Sequence, residues 1–271
     1  MRICECFKSI QGEGLMMGVP TFFVRTVGCN LSCSWCDTRY SMEGGTEMSL
    51  EEIMGAVGDS PRVCVTGGEP MIQPDMPELL RMLVSAGKQV VLETNGATDL
   101  SQVPDDPLVM ISMDIKCPSS GMADRMLKGN LRLLSRKDQL KLIVADDADF
   151  DYAVRFLDEN PVDTNIIFGP VGGTGKLDWL VSRVLDSGLD ARVLPQLHKI
   201  IWGDRRAVRG LHGHLHGRLC ILAALEDIVN LGGHLFIAFL RNARIDEPSA
   251  VMCLYPQFTK AKGGPSEEGP V

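Results

Sequence analysis

At 271 residues the chain exceeds the ~100–200 residues of a usual domain, which leaves one large α/β domain or a domain with an appendage. Its 45% apolar and 23% charged residues are a globular composition; no run nears the ~20 apolar residues of a membrane span, and Arg2, Glu5 and Lys8 interrupt any secretory signal, so a soluble cytoplasmic protein is expected. A net charge of −8 argues against unspecific nucleic-acid binding, which rests on Lys and Arg, and nine cysteines in a chain too large to need disulfide staples turn attention to thiol chemistry.

Between residues 20 and 202 short apolar runs alternate with amphipathic stretches, the pattern of repeated βα units on a parallel sheet. The first predicted strand, Thr21–Val27, runs into Cys29-Asn30-Leu31-Ser32-Cys33-Ser34-Trp35-Cys36. Ser49 and Glu52 form a capping-box pattern that opens a helix. Next come a strand at Arg62–Thr66 ending in Gly67-Gly68-Glu69-Pro70, a helix at Pro77–Ala86, and a strand at Gln89–Glu93 ending in Thr94-Asn95-Gly96. A strand at Leu108–Asp114 leads into Ile115-Lys116, and Gln139–Val144 is another. The series closes with a helix at Asp147–Glu159, a strand at Asn165–Phe168, a helix at Lys176–Ser187 and a strand at Arg192–Leu197. Six or seven such strands fit a doubly wound sheet or a whole or partial barrel, and in each case ligands gather at the carboxyl ends of the strands.

Only Cys29, Cys33 and Cys36 have ligand spacing; Cys4, Cys6, Cys64, Cys117, Cys220 and Cys253 are scattered among apolar neighbours and read as buried fillers. Structural zinc takes four protein ligands, usually in pairs, and no second Cys-x2-Cys pair occurs, so zinc would need Cys117 or His198 to complete the site. An iron-sulfur cluster accepts the triplet directly: three thiolates hold three irons of a 4Fe-4S cube and leave the fourth open. The Gly-Gly-Glu-Pro turn suits close approach of backbone to a ligand, and its carboxylate can accept hydrogen bonds from an ammonium group.

Cys-x3-Cys-x2-Cys with an aromatic residue before the last cysteine, followed by Gly67-Gly68-Glu69-Pro70, resembles the radical S-adenosylmethionine superfamily. Phe7-Lys8-Ser9-Ile10-Gln11-Gly12-Glu13-Gly14, Gly18-Val19-Pro20, Phe22-Phe23-Val24-Arg25, Asp37-Thr38, Lys116-Cys117-Pro118-Ser119-Ser120 and Gln196–Gly203 narrow this: the chain is similar to the 7-carboxy-7-deazaguanine synthase family over roughly residues 3–203. The resemblance implies a partial, modified βα barrel, a homodimer, and a carbon-nitrogen lyase of queuosine or archaeosine precursor synthesis. In such a lyase an external flavodoxin- or ferredoxin-like one-electron donor reduces the cluster, S-adenosylmethionine yields a 5′-deoxyadenosyl radical, and 6-carboxy-5,6,7,8-tetrahydropterin loses ammonia to become 7-carboxy-7-deazaguanine. By the same resemblance Cys29, Cys33 and Cys36 hold the cluster and Thr38 a magnesium ion. Trp35, Cys36, Asp37, Gly67, Gly68, Glu69, Asn95, Gly96, Asp114, Ile115 and Lys116 contact the cofactor. Ile10, Gln11, Gly12, Arg25 and Thr94 hold the substrate, Arg25 because its fork matches a carboxylate. No side chain is assigned as a catalytic acid or base.

Gly169 in Phe168-Gly169-Pro170-Val171 supplies no side chain where another cofactor contact would be expected, and about sixty residues follow the last matching segment. Residues 209–271 hold six Lys or Arg and six Asp or Glu, so the −8 belongs to residues 1–208. The division expected is a catalytic domain over 1–208 and an extension of unknown fold over 209–271. The extension would carry His212, His214, His216 and His234, a helix over 219–229, a strand over 235–240 and disorder from Gly263. Two other functions share the cysteine triplet: an activating enzyme that installs a glycyl radical on a partner protein, and a zinc- or cluster-binding protein without turnover.

Overall fold

The computed structural model describes residues 1–203 and Arg205, so the expected extension over 209–271, with its histidines, helix and strand, lies outside the described residues. Among the described residues the strands are β1 (Arg2–Ile10), β2 (Pro20–Thr26), β3 (Thr46–Glu47), β4 (Arg62–Thr66), β5 (Gln89–Thr94), β6 (Val109–Lys116), β7 (Gln139–Val144), β8 (Asn165–Pro170) and β9 (Arg192–Val193). They form one sheet in the order β3-β1-β2-β4-β5-β6-β7-β8-β9. From β2 to β9 neighbours run parallel; β1 is antiparallel to both β2 and β3. The sheet stays open between two-residue edge strands, the partial barrel expected.

Helices α1 (Leu50–Val57), α2 (Met76–Ser85), α3 (Asp147–Glu159) and α4 (Leu177–Ser187) connect parallel strands. The capping box that opens α1 is formed: the Ser49 hydroxyl accepts from the Glu52 amide at 3.1 Å, and the Glu52 carboxylate accepts from the Ser49 amide at 2.7 Å. β1 and β3 are additional to the strands expected from the sequence. The strand expected over Arg192–Leu197 stops at Val193, because Pro195 has no N–H to continue the ladder and Leu197–Trp202 forms a short helix, α5. No helix among the described residues is long and apolar enough to cross a membrane.

Side chains alternate across a strand, and here the alternation separates a helix-covered face from a cavity face. Phe22, Val24, Val63, Val65, Val90 and Leu92 pack with Ile53, Leu79, Leu80 and Leu83 under α1 and α2. Ile111, Met113, Ile115, Leu140, Leu142 and Phe168 pack with Phe150, Phe156, Leu180 and Val184 under α3 and α4. The intervening residues Phe23, Arg25, Cys64, Glu93, Asp114, Lys116 and Lys141 line the cavity on the other face. A bulge between Ile3 and Glu5 shifts the register of β1, so Ile3 joins the helix-side core while Glu5 and Phe7 line the cavity.

If helix burial seals the sheet in this way, Leu80→Ala, at a fully buried position on α2, is expected to cost about 2–5 kcal/mol. Ser49→Ala should cost only about 1 kcal/mol. Denaturation midpoints at unchanged slope measure both, and the reverse order would contradict the assignment of the core.

Candidate active site

The cavity on the concave face has a volume of about 540 Å³, within the ~300–1,000 Å³ usual for small-molecule sites. Every residue singled out from the sequence lines it except Glu69, Gly96 and Ile115. Ile115 belongs to the helix-side core, and a side chain on Gly96 would run into Met126 and Met113.

The cysteine loop leaves β2 through Gly28, whose φ of +90° favours glycine. It then passes over Gly67 and Gly68 so closely that a Cβ on Gly68 would lie 2.3 Å from the Gly28 carbonyl oxygen and 2.6 Å from Cys29 Cβ. The Glu69 amide donates to that same carbonyl at 2.9 Å. Cys29, Cys33 and Cys36 are half-buried free thiols facing one cavity. Burial pushes the Cys29 and Cys33 thiols up, with the Lys116 ammonium pulling against it at Cys33. Among the described residues no three His, Cys, Asp or Glu side chains converge on a single-ion position. Completion of a zinc site by Cys117 is excluded, because that thiol is fully buried in the helix-side core.

Glu69 has a different position from the one its motif suggested. Its carboxylate has no solvent contact and accepts from the Met71 amide at 3.0 Å, the Asn95 amide at 2.7 Å and the Thr94 hydroxyl at 2.9 and 3.0 Å, so it ties the end of β4 to the end of β5. Burial raises its pKa despite these donors. The Thr94 hydroxyl is thereby committed to Glu69. Asn95 donates from its side-chain Nδ2 to Asn30 Oδ1 at 2.8 Å and to the Cys29 sulfur at 3.5 Å. Arg25 is held by Glu5 at 2.7 Å and lies beside the Tyr40 ring. Thr38 donates to Asp37 at 2.7 Å, and Asp37 pairs with Lys199 at 3.2 Å; burial alone would raise the Asp37 pKa, but these two partners hold it down.

Sequence reasoning named Asp114 and Lys116 but missed Lys141, Glu93 and Glu13, which complete the floor of the cavity. Lys141, buried on β7, pairs with Glu93 at 2.7 Å, Glu13 at 3.1 Å and Asp114 at 3.2 Å, while Lys116 pairs with Asp114 at 2.7 Å. Desolvation would favour a neutral Lys141, but the three carboxylates outweigh it and keep the ammonium charged. Asp114 is pushed up by burial yet held at about 2 by Lys116 and Lys141. Burial raises Glu93, against the pull of Lys141. The available signal was a lone lysine at an alternating position inside the apolar run Gln139–Val144. Also missed was α5, which closes over the loop after β1: the Leu197 amide donates to the Gly12 carbonyl at 2.9 Å, and a Cβ on Gly12 would collide with His198. Gln11 is buried, its amide nitrogen 3.4 Å from Glu93.

Residues 23–130 match the family model of the radical SAM superfamily. A 7-carboxy-7-deazaguanine synthase of Thermoplasma acidophilum is 42% identical over 206 residues, which cover 75% of this chain and 98% of the relative. One from Methanospirillum hungatei JF-1 is 44% identical over 207 residues, covering 74% and 85% respectively. Among solved structures, QueE from Escherichia coli matches with a TM-score of 0.59 at 22% identity, covering 71% of this chain and 92% of that one, a likeness of fold.

Two outcomes follow from the geometry. Gly68→Ala, which drives a methyl group into the cysteine-loop backbone, should lower iron bound per chain and visible absorbance after anaerobic reconstitution. Gly55→Ala, where nothing lies within 4 Å, should load normally. Lys141→Met should destabilise the protein by about 3–5 kcal/mol by leaving buried carboxylates uncompensated. Adding Glu93→Gln should restore part of that loss in chemical denaturation, whereas a purely additive cost would show that the charges are not coupled.

Proposed function

The chain belongs to the 7-carboxy-7-deazaguanine synthase family of the radical S-adenosylmethionine superfamily, and from that premise we propose how its cavity takes 6-carboxy-5,6,7,8-tetrahydropterin to 7-carboxy-7-deazaguanine and ammonia. As a member it is a lyase that works with a 4Fe-4S cluster and S-adenosylmethionine. The observation that carries the reading is that three thiols on one loop share a cavity with a charged sheet face.

The donor set fits the cofactors. Three thiols on one loop suit a cluster with an open iron, and Asp114 Oδ1, buried and 3.2 Å from the Lys141 ammonium but in no well-aligned hydrogen bond, keeps lone-pair capacity for a donor of the cofactor. Bound there, cluster and cofactor supply the reductive radical chemistry that the protein itself cannot. The chain's own residues position and desolvate. Cys29, Cys33 and Cys36 ligate; Trp35, Asp37, Gly67, Gly68, Asn95, Asp114 and Lys116 surround the cofactor. Glu69, Gly96 and Ile115 support that wall from behind. Thr38 gives its proton to Asp37 and so keeps lone pairs for a magnesium ion, a hard cation that takes one or two protein oxygens.

Ile10, Gln11, Gly12, Arg25 and Thr94 bound the substrate's end of the cavity. Arg25, though paired with Glu5, keeps further guanidinium donors for a carboxylate. Glu93 and Glu13, held by Lys141, offer acceptors to the N–H groups of a pterin. We place the catalytic domain at 1–208 and the extension at 209–271, a division supported by relatives whose nearly whole length is matched by three quarters of this chain. A homodimer, a flavodoxin- or ferredoxin-like donor and a cytoplasmic location belong to the same proposal.

The test is anaerobic incubation of reconstituted protein with reductant, S-adenosylmethionine, magnesium and the carboxytetrahydropterin. 7-Carboxy-7-deazaguanine should appear by mass, and Cys33→Ala should abolish both product and cofactor cleavage. Cofactor cleavage by the wild-type protein without product would refute the substrate assignment.

A further inference from the structure

We propose that Asp149, on α3 and outside the cavity, is a positioning residue for the cysteine loop: through the hydroxyl of Ser119 it fixes the indole of Trp35 between Cys33 and Cys36. Asp149 is fully buried. Of its bonds, one goes to the Ala145 amide at 2.9 Å, and two go to Ser119, from the amide at 2.9 Å and from the hydroxyl in a short contact. Ser119 Oγ in turn accepts from Trp35 Nε1 at 2.9 Å.

The direction of this relay is fixed by chemistry. An indole N–H can only donate and a carboxylate can only accept, so the serine hydroxyl must donate to Asp149 and present its lone pairs to Trp35. The carboxylate therefore orients an acceptor that a serine in solvent would leave free to rotate. Capping of α3 accounts for the Asp149 amide on Asp146 at 3.0 Å and for the carboxylate's bond to the Ala145 amide, but not for its two bonds to Ser119, which lies 30 positions away.

The same segment holds the neighbouring residue. Ser34 donates from its amide to the Ser120 carbonyl at 3.0 Å and from its hydroxyl to the Ser119 carbonyl at 2.6 Å. Ser34 and Trp35 are the two residues between the second and third thiols, whose turn is closed by the Cys36 amide on the Cys33 carbonyl at 3.3 Å. Three bonds from residues 119 and 120 thus set the path of the backbone that spaces Cys33 and Cys36, and Asp149 anchors residue 119. Lys116 adds a cation 5.7 Å from the centre of the Trp35 ring. Outer partners that orient ligands in this way commonly matter by about 10–100-fold in affinity or activity.

The experiment has an arm that needs no cofactor. In a Trp179→Phe/Trp202→Phe background, which leaves Trp35 as the one tryptophan, Ser119→Ala and Asp149→Asn should red-shift the apo-protein emission and increase its quenching by acrylamide. Ser119→Thr, which keeps the hydroxyl, should not. In the chain with all tryptophans, Ser119→Ala and Asp149→Asn should lower iron loading and weaken S-adenosylmethionine binding by about tenfold. Their double variant should be no worse than the more affected single. Unchanged Trp35 emission in both variants, or losses that add in the double, would overturn the proposal, as would equal loss in Ser119→Thr. The loading arm rests on the cluster reading: a wild-type protein that never binds iron would defeat that reading while the fluorescence arm still decides the relay.

Discussion

Lys141 carries a positive charge into the middle of the sheet, and the architecture of the cavity follows from the need to neutralise it. Moving one ion out of water costs several kcal/mol, and that cost is offset only by close, well-placed opposite charge. On β7 the residues at 140, 142 and 144 are bound to the helix-side core, so alternation leaves Lys141 no direction but the concave face. There it stands directly across from Asp114 on β6, reaches Glu93 on β5, and draws in Glu13 from the loop after β1. Three carboxylates against Lys141 and Lys116 leave the floor with one negative charge in excess. Such a floor accepts N–H donors and cationic groups readily, which fits both the ammonium of a methionine-derived cofactor and the N–H edge of a pterin.

The thiol loop obeys a second constraint: it has no regular structure of its own and must be held from outside. The Gly28 carbonyl takes the Glu69 amide, and the Val27 carbonyl takes the Gln73 side chain at 2.9 Å, both from beyond β4. From beyond β5, Asn30 is tied to the Ala97 carbonyl at 3.1 Å and to Asn95. From beyond β6 come the bonds to Ser34 and Trp35. The segments after β4, β5 and β6 thus each anchor the loop at the carboxyl end of their strand. That explains why Glu69 is buried with every bond satisfied: it sets the spacing of the β4 and β5 ends on which the loop rests.

The features legible in the sequence are those whose cause is local. Arg62–Thr66 and Gln139–Val144 are β-branched or leucine-rich runs bounded by turns, and Asp147–Glu159 has an amphipathic period; all three have the bounds expected. The thiol spacing and Gly67-Gly68 declare themselves because close backbone approach requires glycine whatever lies around it. β1 was hidden by Glu5, a charge within a strand whose purpose, holding Arg25 and accepting from the Tyr40 hydroxyl at 2.9 Å, appears only when β2 lies alongside. Lys141 with Glu13 and Glu13 with Gln196 are separated by 128 and 183 positions. No window of sequence contains both partners, so their meaning exists only in the folded sheet.

The same separation shows what the charges do for the fold. A Lys141 that finds Glu13 has brought the loop after β1 onto β7, and a Glu13 that accepts from Gln196 at 2.6 Å has brought α5 across the same opening. Burial alone would raise the Glu13 pKa, but Lys141 and Gln196 hold it below its ordinary value, so the carboxylate remains an acceptor for both. The first and last described elements therefore meet over the cavity through one ionised residue. Closure of the site and neutralisation of the buried lysine are one event, and an open sheet with short edges can enclose a ligand without the strands ever joining into a full barrel.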